Sequence, residues 1–163
     1  DIGYEPQMLN AINEVNERQK LVLAQKVEDY FQPRGGVQDK TLALWGLAFK
    51  ANTDDIREAS SLALISYLTR LGMAVRAFDP QAGPRSREVL ADNPLLEIVD
   101  DEYAALNGAH ALAVITEWNQ FRNPDFQMIK KTLQEPVIFD GRNLYPPEQL
   151  HSLGFEYFSI GRA

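Results

Sequence analysis

The stretch LALWGLAFKANTDDIREASS, Leu42 to Ser61, opens as an apolar run and breaks at Gly46 into a long polar loop. It leads into SSLALISYLTRLG, which places Leu62, Ile65, Leu68 and Leu71 on one face of a helix that stops at Gly72. Strand, loop and helix in that order form the first unit of a parallel α/β sheet. The loop itself fits neither standard phosphate-cradling type. A dinucleotide fingerprint needs three glycines in six residues so that backbone can close on a pyrophosphate, and Gly46 stands alone until Gly72. Side chains are the other means of holding an anion. Lys50 and Arg57 flank the loop, and Ser60 and Ser61, good N-cap residues, start a helix whose amides point at the same space. A plainer reading has Asp54 and Asp55 pairing with Lys50 or Arg57 on a solvated loop.

Outward from this unit the pattern repeats. MAVRAFDP is a second strand ended by Pro80, residues 81 to 94 are loop or a broken helix, and LLEIVDD is a short third strand. DEYAALNGA then reads as a short helix, HALAVIT as a strand, NPDFQMIKKTL as a helix, PVIFDGR as a strand, PPEQLHSLG as a helix and FEYFSIG as a last strand. Strands alternating with helices predict a Rossmann-like α/β domain, a parallel sheet with helices on both faces. A long N-terminal helix precedes it. Met8, Ile12, Val15, Val22 and Tyr30 fall on one face, with Leu9, Leu23 and Val27 beside it. Pro6 suits its first turn, and Pro33 with Gly35 and Gly36 ends it.

The 163 residues suit one domain with an appended element. Hydrophobic residues make up 45% and charged residues 24%, enough for a core without covalent staples. The absence of cysteine excludes disulfides, thiolate metal sites and a cysteine nucleophile within this chain. A net charge of -7 argues against a general nucleic-acid binder, which needs clustered cations along a backbone. No apolar run approaches the roughly 18 residues of a membrane span. The chain begins at Asp1, with the helical pattern following almost at once, and is read as a piece of something longer.

Ligands of open parallel sheets bind outside the carboxyl ends of the strands. Four segments arrive there: the loop after Gly46, FDPQAG, ITEWNQF and FDGRNLY. Arg142 in the last has the planar fork that matches phosphate oxygens, or else pairs with Asp140 at a turn. Trp118 is placed to stack on a base or to pack. His110 and His151 lack metal-ligand spacing and are assigned to structure, and no metal site is expected. The adjacent acids Asp54 and Asp55 lie too far past the strand end to resemble a phospho-receiver magnesium site.

GLAFKANTDDIREASS, FDP, ITEW and VIFDGRN, in that order, resemble the C-terminal domain of the UDP-glucose/GDP-mannose dehydrogenases. NEVNERQK at residues 13–20 resembles the end of that family's central helix, and GFEYFSIGR resembles the terminus of its bacterial UDP-glucose 6-dehydrogenase members. The resemblance covers essentially the whole chain. It implies that residues 1–33 end a connecting helix and residues 34–163 form a UDP-sugar-binding domain. It implies that Phe49, Lys50 and Arg142 contact the substrate, UDP-glucose, and that Arg57 reaches toward NAD, held mainly by an N-terminal domain outside this chain. The implied chemistry is oxidation of the sugar C6 alcohol to a carboxylate with two NAD and a covalent thiohemiacetal on a cysteine, also outside this chain. No catalytic residue is then expected here. A cytoplasmic homodimer built through the central helix is also implied. Two alternatives stand beside it: a non-catalytic nucleotide-binding or interaction module, and a domain of a GDP-mannose or UDP-N-acetylmannosamine dehydrogenase.

Overall fold

The computed structural model describes residues 7–161, with side chains from Glu14 onward. Pro6 and the side chains of Met8, Leu9 and Ile12 lie outside the described residues. The elements follow the alternation read from the sequence: α1 (Gln7–Phe31), β1 (Thr41–Trp45), α2 (Ser60–Arg70), β2 (Ala74–Phe78), α3 (Gly83–Val89), β3 (Leu96–Ile98), β4 (Ala111–Val114), α4 (Phe126–Thr132), β5 (Val137–Asp140), α5 (Pro147–Ser152) and β6 (Glu156–Ser159). All six strands are parallel, in the order β3-β2-β1-β4-β5-β6. Helices cover both faces. The order reverses between β1 and β4, which makes the ends of these two strands the switch point where a ligand crevice opens. Central strands β1, β4 and β5 are buried on both faces, which explains their unbroken apolar sequences.

Two expectations give way. DEYAALNGA forms only a 3₁₀ turn at Ala104–Leu106: Asp101 accepts the Ala104 amide as a helix cap would, but Asn107 leaves helical backbone at ψ 113° and Gly108, at φ 71°, ends the segment. The turn is still well anchored, since Trp45 donates its indole N–H to the Glu102 carbonyl at 2.7 Å and its ring meets Tyr103 edge-on. On α2 the buried face is Ser61, Leu64, Ile65 and Leu68 rather than the stripe ending at Leu71. Leu71 lies one residue past the helix and is 38% exposed, as the chain turns out through Gly72 at φ 87°.

α1 divides along its length. Leu23, Ala24, Val27, Tyr30 and Phe31 are buried in the core, whereas residues 14–19 are exposed and Val15 is 60% exposed. The helix runs antiparallel to the strands: Leu23 packs at Gly141 beyond the end of β5, and Tyr30 reaches Glu135 and Glu156 near the starts of β5 and β6. Full burial of a side chain such as Leu23 or Val27 contributes about 1.5–3 kcal/mol, so this half of α1 belongs to the domain.

The Tyr30 hydroxyl donates to Glu156 at 2.7 Å and lies 3.1 Å from Glu135. Burial first, then these two carboxylates, raise its pKa well above the usual tyrosine range. Tyr145, fully buried, donates to the Phe121 carbonyl at 2.6 Å and is raised mainly by burial, then by Asp140. With both folded values above an unfolded value of about 10, their stabilising contribution is present below that pH and is lost as pH rises toward the folded values. Alkaline titration followed at 295 nm should therefore show Tyr30 and Tyr145 ionising together with the loss of far-ultraviolet circular dichroism. Comparison with Tyr30→Phe and Tyr145→Phe identifies their steps. Ionisation of either in a still-folded protein would contradict this account.

Candidate functional site

The loop after β1 is held by a neighbouring strand end. Asp79, one residue beyond β2 and 4% exposed, accepts hydrogen bonds from the amides of Leu47 at 2.7 Å and Ala48 at 3.0 Å. The same oxygen accepts from the Trp118 indole at 3.0 Å, and the other accepts from the amides of Gln81 and Ala82. One carboxylate thereby ties together the loops after β1, β2 and β4. In a dinucleotide-binding sheet an acid about 20 residues past the glycine loop takes the ribose hydroxyl. Asp79 is the acid so placed, and its oxygens are already engaged. Together with the lone Gly46, this makes the β1 loop unsuited to a dinucleotide. Gly46 has a different duty: at φ 100°, an added Cβ would sit 2.5 Å from Thr116. That close approach lets the Thr116 hydroxyl donate to Ala48 O at 2.8 Å.

Asp140 at the end of β5 acts in the same way. Buried completely, it accepts from the amides of Arg142, Leu144 and Tyr145 and from the Tyr157 hydroxyl. The Arg142 guanidinium does not pair with it. Nε donates to Ile115 O at 2.8 Å and Nη2 to Phe49 O at 3.0 Å, which stretches the side chain across the ends of β4 and β1. Arg142 is thus brought beside the β1 loop, at the switch point.

Phe49 is 49% exposed and Lys50 is exposed, with no ion pair to a described residue. Arg57 stands apart: its side chain is 77% exposed and clasps Asp55 at 2.8 Å, as the plainer reading of the loop has it. The guanidinium hydrogen bond holds the Asp55 carboxyl well below the usual carboxylate range and raises Arg57. Ser60 and Ser61 do not cap α2. Ala59 occupies the N-cap, Ser60 and Ser61 open the first turn, and the Ser61 hydroxyl instead donates to Leu47 O at 2.6 Å. Trp118 is buried and His110 accepts from the Thr41 amide, so both serve structure. Among the described residues no cluster of three metal-ligating side chains occurs, and no helix is long and apolar enough to cross a membrane.

Lys20 escaped the sequence reading. Its side chain is 17% exposed and pairs with Glu17 and with Glu58 of the β1 loop. The hydrogen bond it donates to Glu17 first, then the one it donates to Glu58, raises its pKa, while Glu58 is lowered in turn. Glu58 holds a left-handed backbone, φ 58°, rarely adopted by a side-chain-bearing residue. Lys20 lines two adjoining clefts. One, of about 190 Å³, is bounded by Leu23, Ser60, Ile115, Gly141 and Arg142 as well. The other, of about 470 Å³, extends past Phe49 and Glu58. A larger cavity of about 510 Å³ lies between the end of α2 and the start of β3, at the opposite edge of the sheet from the switch point.

The model of the UDP-glucose/GDP-mannose dehydrogenase family, UDP binding domain, matches residues 43–147, which span the sheet from β1 to the start of α5. The chain belongs to this family. Within it, a UDP-glucose 6-dehydrogenase from Pseudomonas aeruginosa is 49% identical over 98% of the chain, and one from Bacillus subtilis, TuaD, is 36% identical over 98%. The chain spans about a third of the length of these curated relatives, 36% and 34%. A UDP-glucose dehydrogenase structure from Pyrobaculum islandicum superposes with a TM-score of 0.70 at 26% identity, over 96% of this chain and 32% of that one. A Methanosarcina mazei NDP-N-acetyl-D-galactosaminuronic acid dehydrogenase gives 0.80 at 24% identity, over 98% and 32%, a likeness of fold alone. These family members are oxidoreductases, and the part matched here is the UDP binding domain.

Removing the Asp79 carboxylate leaves four backbone amides and an indole N–H without an acceptor. At about 1–3 kcal/mol per unsatisfied buried donor, Asp79→Ala should destabilise the domain by at least about 3 kcal/mol. Asp79→Asn is expected to fare little better, because its amide N–H groups would face donors. Denaturant unfolding with amide exchange at Leu47 and Ala48 measures this. An unchanged midpoint for Asp79→Asn would refute it.

Proposed function

We propose that this chain is the substrate domain of an NAD-dependent UDP-glucose 6-dehydrogenase, which oxidises the sugar C6 alcohol to a carboxylate in two hydride transfers. The observation that carries the reading is Arg142, laid across the ends of β4 and β1 with guanidinium hydrogens unused and a cleft beside it. A diphosphate needs such a fork. Lys50 supplies a second cation without a carboxylate partner among the described residues, and Phe49 an exposed ring on the same loop. The preference for UDP-glucose rests on the 49% identical relative, since the fold is shared with enzymes named for other sugar nucleotides.

NAD, which supplies the hydride acceptor when bound, does not suit the β1 loop, where Asp79 is engaged and one glycine stands in place of three. In this reading it is held by another part of the full-length protein, with Arg57 reaching across from the loop. Residues 1–33 are the end of the connecting helix, residues 34–163 the UDP-sugar domain, and the exposed stretch of α1 over residues 14–19 contributes to a homodimer. The sequence holds no cysteine to carry a covalent intermediate.

Two kinds of experiment test this. The isolated chain should fail to reduce NAD with UDP-glucose, and turnover in a pure sample would overturn the assignment. In the full-length enzyme, Lys50→Ala and Arg142→Ala should each lower kcat/KM for UDP-glucose by roughly 10- to 150-fold, the value of a charge-assisted contact at about 1.5–3 kcal/mol. Arg57→Ala should act chiefly on KM for NAD. Unchanged constants in both of the first two variants would make those cations structural.

A further inference from the structure

We propose that Glu117, on the loop after β4, is a positioning residue that frames both cations of the site through Arg142. The inference rests on the substrate-domain reading above.

Arg142 offers five N–H groups. Nε–H goes to Ile115 O and one Nη2–H to Phe49 O, which leaves both hydrogens of Nη1 and one of Nη2 for a ligand. Glu117 Oε2 lies 3.1 Å from Nε, yet it accepts no hydrogen bond from any described residue, although it is buried. Nε carries one hydrogen and directs it at Ile115 O, so Glu117 meets the guanidinium as a charge at Nε. Its other oxygen, Oε1, lies 3.4 Å from the Ala51 amide.

These contacts bracket three residues. Arg142 holds the Phe49 carbonyl, Glu117 holds the Ala51 amide, and Lys50 sits between them. Lys50 itself has no ion pair to a described residue, so the backbone on either side sets where its ammonium starts. A carboxylate beside an anion clamp opposes anion binding by its charge. Its position here is explained by orientation: the contact is at Nε, so it steadies the guanidinium there and takes no hydrogen bond from the outer nitrogens. A competitor for the anion would instead sit on Nη1.

The two roles predict opposite signs. If Glu117 positions the clamp, Glu117→Gln in the full-length enzyme should weaken UDP binding, measured by calorimetry, by about 3- to 30-fold, within the coupling found in one hydrogen-bonded network. KM for UDP-glucose should rise in parallel while kcat stays within about twofold. In an Arg142→Ala background, Glu117→Gln should add nothing. Glu117→Asp, which keeps the charge but withdraws the oxygens by about one bond length, ~1.5 Å, should weaken UDP binding in the same direction and serves if Glu117→Gln does not fold. Tighter or unchanged UDP binding in a folded Glu117 variant, with Arg142→Ala weakened, overturns the positioning role and leaves the substrate domain standing. Full additivity in the double variant also overturns it. Unchanged UDP affinity in Arg142→Ala removes the substrate-site reading and this proposal with it.

Discussion

The buried carboxylate of Asp79 is the constraint on which the ligand edge depends. An ionised group in the interior is costly unless its lone pairs are filled, and here four amides and an indole fill them. Those donors come from three different loops. Satisfying one group therefore fixes the relative placement of the ends of β1, β2 and β4, before any side chain at the site is considered. The consequence for ligand choice is direct. The position from which a Rossmann sheet ordinarily selects a ribose has been turned inward to build a loop, and the anion is left to side chains.

Asp140 repeats the device on the other side of the switch point. β2 and β5 are the second strands outward in each half of the sheet, and both end in Phe-Asp. In both cases the aspartate receives the amides of the turn that follows it. Arg142 follows Asp140 by two residues, so the turn that the carboxylate builds is the turn that carries this guanidinium. Under the proposed function, loss of either aspartate would act on binding through geometry rather than through contact.

The fold was legible because its signals are local and redundant. Short, mostly apolar runs mark the parallel strands, with Gly46, Asp79 and Gly141 directly after β1, β2 and β5, and the amphipathic stretch between β1 and β2 marks α2. Places where the reading failed are places where a distant partner decided. Ser61 has the chemistry of a cap, but the Leu47 carbonyl lies within reach and takes its hydroxyl. The segment around Ala104 is the local exception: it has helical composition and is stopped where Asn107 leaves helical backbone and Gly108 turns the chain. At the site, Lys50, Arg57 and Arg142 could be picked out as cations at strand ends. Lys20 could not, because its relation to Glu58 spans 38 positions and exists only once α1 lies over the loop. Glu117 was visible as part of ITEW, yet its partners, Arg142 and Ala51, are set by topology alone.

The direction of α1 carries a consequence for the larger protein. From Lys20 beside the crevice to Tyr30 at the far edge the helix covers ten residues, about 15 Å of rise, comparable to the depth of a five-residue strand. It is pinned to the sheet at both ends, by Glu58 above and by Glu135 and Glu156 below. The backbone therefore enters the domain from the ligand side, through the exposed turns around Val15. Any polypeptide joined ahead of this helix would start on the crevice side of the sheet and not at the opposite edge. Chain polarity alone thus ties the N-terminal end of α1 to the carboxyl ends of the strands.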